Sequence, residues 1–377
     1  MKIVSVVGAR PQFIKAAPLS RAISAQNRRS TTHPSPIEEI LLHTGQHYDY
    51  EMSQIFFDTL GLPQPKYELN VGSGPQGWQT AEMLKGVEEV LTKERPDLVV
   101  VYGDTNSTLA GALAAAKLKI PVAHVEAGLR SFNRQMPEEI NRVVADHLST
   151  LLFAPTVTAI RNLCAEGIRQ GVHQVGDVMH ESAVHGLAAA EKQSQILRRL
   201  RLEPGGYVLV TVHRAENADA ESRLQNVLAA LGRISHQVPV VWPVHPRTRK
   251  TLESLDGVTT SNGLRLIEPV SYFDMLLLES RARVILTDSG GVQKEAHWFH
   301  IPCLTLRNET EWIETVESGW NRLTGTDCTR ILADFEEVLH TSKTPQENTP
   351  VEEPRAASMI VAILSEWGLC QFRNDQV

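Results

Sequence analysis

Val284-Ile285-Leu286-Thr287-Asp288-Ser289-Gly290-Gly291-Val292-Gln293-Lys294-Glu295 is the stretch from which the fold can be read. Four residues of buried-strand character run into Ser-Gly-Gly, and a helical pattern starts at once. Two glycines let the backbone pass close to a ligand with no Cβ in the way. The N–H groups at the new helix start, with the positive end of its dipole, suit a phosphate. Glu295, about one turn into that helix, can accept hydrogen bonds from a ribose. Strand, diglycine and acid together read as a holder for a nucleotide diphosphate.

Working outward, short apolar runs alternate with longer helical patterns along the whole chain. They fall at Ile3–Val7, Glu39–His43, Leu98–Tyr102, Val122–Val125, Leu151–Phe153 and Val172–Val175. A second set lies at Tyr207–Val212, Val238–Trp242, Leu264–Ile267, Val284–Thr287 and Cys303–Leu306. Continuous apolar strands with helical crossovers predict an α/β protein with parallel sheets covered on both faces. Ala110–Leu118 is a small-residue helix suited to close packing on such a sheet. At 377 residues the chain is long for one core, and two domains are expected, 1–177 and 178–353. A Thr/Pro/Glu-rich connector over 341–354 leads to a last apolar helix, 356–367.

The net charge is −7, from 37 Lys and Arg against 44 Asp and Glu. It offers no global attraction to nucleic acid or an anionic membrane, so any phosphate site is a local cluster. No run approaches the ~20 apolar residues of a membrane helix, and the chain starts directly on a strand without a signal-peptide pattern. Cys164, Cys303, Cys328 and Cys370 are scattered, with no metal-type pairing. A cytoplasmic protein with reduced thiols and no bound metal is expected.

Ligands of open α/β sheets bind beyond the carboxyl ends of the strands. There the sequence puts Gly8-Ala9-Arg10 and Lys15, which equally describe a plain strand-to-helix turn with solvated charges. Asp104, after the Leu98 strand, fits a helix cap as well as a catalytic group. Glu126 ends the Val122 strand, where a charge is costly without a partner. Glu138 and Glu139 open a helix and suit its dipole. His213 emerges at a strand end with other polar groups, and His245 does so with a weaker case. Each signal is weak alone; their combination is specific.

That combination, Gly8–Lys15, Gly103–Ser107, His124–Arg130, Pro137–Arg142, His213–Asn217 and Asp288–Gly291, resembles the non-hydrolysing UDP-N-acetylglucosamine 2-epimerases in order and spacing over nearly the whole chain. The resemblance implies a GT-B-like architecture, two Rossmann-like domains facing a cleft. It also implies that the last helix docks back on the first domain, and that the enzyme is a homodimer acting on a UDP-sugar without a cofactor. The implied chemistry is elimination of UDP to 2-acetamidoglucal and its return with the other configuration at C2. By motif, Asp104, Glu126, Glu138 and His213 match the catalytic group. Arg10, Lys15, Ser289, Gly290, Gly291 and Glu295 match the nucleotide contacts. Trp312 stands where enterobacterial members have an arginine, with Arg307 as the replacement for that phosphate contact. Met275 stands where those members place an aromatic beside the uracil.

The chemistry fits those residue types. A proton at C2, which no carbonyl acidifies, requires a placed carboxylate base, and return from the other face requires an acid. Clustered carboxylates push some of their pKa values up, which keeps one protonated at neutral pH. The departing pyrophosphate meets positive charge from Arg10, Lys15, His213 and a helix N-terminus. We expect Asp104 and Glu126 near C2, Glu138 supporting them and His213 on the leaving phosphate. The sequence leaves open which carboxylate is base and which is acid. The alternatives are a 2-epimerase of UDP-2,3-diacetamido-glucuronic acid and a GT-B glycosyltransferase. The second would need no base at C2. A non-catalytic UDP-sugar regulator would not require the carboxylates, and a bifunctional hydrolysing epimerase would need a kinase domain beyond Val377.

Overall fold

The strands of the first half pair in parallel under helices because the inner ones are Val-, Ile- and Leu-rich and buried, whereas the two at the edges are short and part-exposed. The strands are β1 (Lys2–Val7), β2 (Glu38–His43), β3 (Tyr67–Glu68), β4 (Leu98–Tyr102), β5 (Val122–Val125), β6 (Leu151–Ala154) and β7 (Val172–Gln174). The computed structural model describes residues 1–29, 36–46, 60–255, 263–340 and 354–374, with side chains through 370. Among them, the first sheet runs β3-β2-β1-β4-β5-β6-β7, with all its pairings parallel. Val6 pairs with Leu42 on one side and Val101 on the other. Order therefore reverses between β1 and β4, the place where an open sheet leaves a crevice for a ligand.

The second half repeats the pattern with β8 (Val208–Thr211), β9 (Val240–Pro243), β10 (Leu264–Ile267), β11 (Val284–Thr287), β12 (Cys303–Thr305) and β13 (Asn321–Leu323). Its order is β10-β9-β8-β11-β12-β13, again parallel, and the reversal lies between β8 and β11. The edge strands β3 and β13 were not expected from the sequence. They are two and three residues long, too short to carry an apolar run.

The first sheet is covered by α1 (Arg10–Arg29), α2 (Gln76–Glu94), α3 (Asn106–Lys117), α4 (Pro137–Leu148) and α5 (Val157–Ala165). The small residues of α3 act as expected. Ala110, Ala112, Ala114 and Ala115 are buried, and a Cβ on Gly111 would come within 2.9 Å of Val101, so the helix lies directly on β4. The chain then passes through α6 (Val178–Gln193), α7 (Ile196–Leu200), α8 (Ala215–Ala218), α9 (Glu221–Ile234) and α10 (Pro246–Ser254). There follow α11 (Tyr272–Ser280), α12 (Gly290–Trp298), α13 (Ile313–Glu317), α14 (Cys328–His340) and α15 (Ala356–Asn374). Leu224, Val227, Leu231 and Ile234 of α9 join Ile331 and Phe335 of α14 over Val210, Val240 and Trp242, each apolar side chain contributing about 1.5–3 kcal/mol.

Contacts divide the chain into two compact units, Met1–Ser182 with Glu353–Val377, and Ala183–Glu352. The last helix packs on α1 inside the first unit, with Ile360, Val361 and Leu364 buried and Gln26 donating to Ser365 Oγ at 2.7 Å. The connector lies outside the described residues, apart from Pro354. No described helix is long and apolar enough to cross a membrane.

Candidate active site

In the first unit the polar residues gather where β1, β4 and β5 end. Lys15, on α1, makes an ion pair with Glu126, and both are buried, at 7% and 8% exposure. The turn at Gly103 (φ +62°) exists to admit them: a Cβ there would lie 2.6 Å from Lys15 Nζ and 3.1 Å from Glu126 Oε2. Glu126 itself has φ +72°, a left-handed backbone that a residue with a Cβ rarely adopts and that costs roughly 1–3 kcal/mol. It is held by Phe153, whose carbonyl accepts from the N–H groups of Glu126 and Ala127, both at 3.1 Å.

Asp104 does not cap α3. Thr105 is the cap and accepts from Thr108 N, which leaves the Asp104 carboxylate to pair with Arg142 on α4. The Asp104 carbonyl accepts from Asn141 Nδ2 at 2.9 Å. Arg142 also reaches Glu139 at 3.2 Å. Burial works against the Arg142 charge, but Asp104, Glu139 and Glu126 outweigh it, and its pKa is raised. Of the two acids opening α4, Glu139 is the anchored one. It is 2% exposed and accepts from Ser131 N at 2.9 Å, Ser131 Oγ at 3.0 Å and Phe132 N at 2.9 Å. Glu138 is exposed and makes no hydrogen bond or ion pair among the described residues. Arg10 is exposed at the first position of α1.

In the second unit Asp288, fully buried at the end of β11, gathers the polar groups. It accepts from His213 N at 3.1 Å, Arg214 N at 3.1 Å and Asn217 Nδ2 at 3.2 Å. His213 Nδ1 lies 3.2 Å from the same carboxylate, so the ring donates there and turns Nε2 away from it. Burial opposes the charge of Asp288, yet the bonds and charge of His213 overcome it and lower its pKa. The sequence reading treated Asp288 as part of the diglycine turn. Like Glu126, Asp288 is a charge at the end of a buried strand, and that is the sequence signal that marks it. His245 is a structural residue: its Nδ1 caps α10, accepting from Arg247 N at 3.2 Å.

Ser289 caps α12, and the Gly290 and Gly291 amides that follow have no partner among the described residues. A Cβ on Gly290 would lie 3.2 Å from Trp312 Nε1 and 3.8 Å from Glu311 Oε2. Trp312 is thus a neighbour of the diglycine turn, and its ring also stacks under Lys294 Nζ, 3.9 Å from the centroid. Arg307 forks onto Glu311, with NH1 at 3.0 Å and NH2 at 3.1 Å. Burial resists the Glu311 charge, but Arg307 holds its pKa down at about 2. Glu295 is buried on α12, and Met275 is half-buried on α11 against a cluster that includes Val292 and Ala296. The first unit thus carries carboxylates matched with cations, and the second carries open amides beside an oriented imidazole.

The sequence profile of the UDP-N-acetylglucosamine 2-epimerase family matches residues 29–365. A UDP-N-acetylglucosamine 2-epimerase homolog of Methanococcus maripaludis is 54% identical over 91% of this chain and 94% of its own. The UDP-2,3-diacetamido-2,3-dideoxy-D-glucuronate 2-epimerase of Pseudomonas aeruginosa is 49% identical over 86% of this chain and 88% of its own. The crystal structure of the Methanocaldococcus jannaschii UDP-GlcNAc 2-epimerase, in complex with UDP-GlcNAc and UDP, superposes with a TM-score of 0.86. It is 44% identical and covers 97% of this chain and 100% of that one. The two Rossmann-like parallel-sheet domains are therefore of the GT-B-like kind, and this chain belongs to the UDP-N-acetylglucosamine 2-epimerase family.

Proposed function

We propose that the protein interconverts UDP-N-acetylglucosamine and UDP-N-acetylmannosamine. The observation that carries this reading is the pair of carboxylates at neighbouring strand ends, Glu126 against Lys15 and Asp104 against Arg142, in a chain of this family. One carboxylate takes the C2 proton as the C1–O bond to UDP breaks, giving 2-acetamidoglucal. UDP then adds back at C1 while a proton returns to the other face of C2. Each carboxylate has a cation in direct contact, Lys15 for Glu126 and Arg142 for Asp104, and Arg142 also feels the charge of Glu126. Glu138, exposed in the first turn of α4, supports them. His213, oriented by Asp288, and the amides of Gly290 and Gly291 meet the charge growing on the diphosphate. Arg10, Lys15, Ser289 and Glu295 complete the nucleotide contacts, with Met275 at the base. Arg307 acts through Glu311, steadying the wall beside Gly290.

A second reading, a UDP-2,3-diacetamido-glucuronic acid 2-epimerase, is favoured by the 49% identical Pseudomonas aeruginosa relative. A homodimer working in the cytoplasm is what the family resemblance supports. Incubation with each UDP-sugar in heavy water, followed by proton NMR at C2, tests the assignment. Deuterium at C2 with UDP-N-acetylmannosamine appearing is the expected result. Free N-acetylmannosamine would mean hydrolysis, and exchange only in the diacetamido sugar would select the second reading.

A further inference from the structure

Below the first unit's carboxylates lies a buried ionic network that the reaction described above does not use. His124, at 0% exposure on β5, sits between Asp146 Oδ1 and the carbonyl of Gly103, each 2.7 Å from a ring nitrogen. Asp146, on α4, also accepts from Gly128 N at 3.1 Å and Arg130 NH1 at 2.7 Å. Arg130 in turn donates to the Leu129 carbonyl at 2.7 Å and forks onto Glu166, at 2.6 Å and 2.8 Å. Burial opposes the Asp146 charge, but His124 and Arg130 prevail and lower its pKa, so it is an acceptor on both oxygens. A carbonyl on one side and a carboxylate on the other require a hydrogen on each nitrogen of His124.

Buried ion pairs are a poor source of stability, because each ion gives up its hydration, a cost that apolar packing does not carry. What this network does, and apolar residues could not, is grip main-chain atoms at chosen points. Gly103 precedes Asp104, and Gly128 lies two residues beyond Glu126. The left-handed backbone at Glu126 is tied to Phe153 on its own side and, through Gly128, to Asp146 on the other. One carboxylate therefore fixes both turns.

We propose that Asp146 and His124 are positioning residues for epimerisation, setting the spacing between the Asp104 and Glu126 turns without touching substrate. The proposal rests on the reaction put forward above. Three variants of the full-length protein test it: His124→Gln, Asp146→Asn and the two combined. In His124→Gln the single amide NH2 can face the Asp146 carboxylate or the Gly103 carbonyl but not both. Its oxygen meets the other acceptor, so one of the two bonds breaks. The combined variant restores a hydrogen there, because the introduced asparagine amide can donate to the introduced glutamine oxygen.

With the folded fraction normalised by UDP titration, each single variant is expected to lose about 100-fold in kcat, the cost of misplacing a reacting group by about 1 Å. KM stays within about threefold, and the combination recovers about tenfold of the lost kcat. A merely structural role predicts lower melting temperatures with normal kcat per folded site, and no recovery in the combination; that result overturns the proposal. Wild-type protein that exchanges no C2 proton overturns the reaction and this proposal with it. Exchange in wild type and equal turnover in the folded variants overturns the positioning role alone. Should the variants not fold, NMR of isotope-labelled histidine in the wild type decides. Two ring N–H signals for His124 are required, and one bare nitrogen refutes the arrangement.

Discussion

Two of the glycine-bearing strand-to-helix turns, those after β1 and after β11, are built for opposite purposes. At the first, the amides of Gly8 and Ala9 donate to Gln12 Oε1, at 2.8 Å and 3.2 Å, so the turn is closed by its own helix. Gln12 then ties the turn to β4 through the Tyr102 carbonyl at 3.0 Å and Thr108 Oγ1 at 3.1 Å. Glycine is needed at position 8 because the Thr44 and Ser107 hydroxyls occupy the space of a side chain. At the second turn, the amides of Gly290 and Gly291 find no acceptor among the described residues, and Asp288 beneath them is engaged with His213, Arg214 and Asn217. A glycine after a strand does not by itself mark an anion site. Whether the chain already satisfies the amides that follow does.

This contrast can be broken from either side. The largest effect is expected from Gln12→Leu, which orphans two buried amides. It should cost about 2–4 kcal/mol in urea denaturation while leaving UDP affinity per folded molecule unchanged. A loss of UDP affinity would mean that the first turn's own amides take part in binding beside the proposed Arg10 and Lys15 contacts. Next comes Gly290→Pro, which deletes one open amide at a position where proline suits a helix start. The preceding Ser289 has φ −84° and ψ 126°, which a following proline accepts. Calorimetry should show UDP bound about 10- to 100-fold more weakly, with stability little changed.

The smallest effect concerns acid. The first turn is closed by a neutral amide, whereas the wall of the second contains Glu311, whose pKa falls from an ordinary 4.5 to about 2. A depressed carboxylate contributes stability above its unfolded value and loses it as pH falls through the folded one. The contribution of Glu311 is therefore full above pH 4.5 and fades toward pH 2. Between those limits Glu311→Gln should lose about 1–2 kcal/mol less stability than wild type in urea melts. Identical acid profiles would show that the Arg307 fork contributes nothing to folding.

Much of this architecture was legible in the sequence. Fully buried parallel strands carry unbroken apolar runs, and the runs chosen from sequence fall on strands β1, β2, β4 to β7 and β8 to β12. Strands β3 and β13 lack that signature because they are only two and three residues long. At the site, chain position identified which residues stand at strand ends but not which neighbours they meet. Lys15 and Glu126 are 111 residues apart, and nothing local announces that they pair. Glu138 and Glu139 look equivalent as helix-opening acids, yet their directions around α4 separate an exposed carboxylate from a buried anchor. Asp104 and Thr105 compete for one cap, and only backbone geometry decides in favour of the threonine.

The left-handed backbone at Glu126 has a consequence for how such a chain evolves. Glycine would fit that φ of +72° without strain, but it would leave the buried Lys15 ammonium without its partner. The folded state therefore favours glycine here only if position 15 loses its charge as well. A lineage released from its substrate would gain robustness only by exchanging both residues of the pair, glycine at 126 with an uncharged side chain at 15. Under the function proposed above, the strained glutamate at 126 and its buried lysine partner are accordingly a joint fingerprint of use, to be kept or lost together.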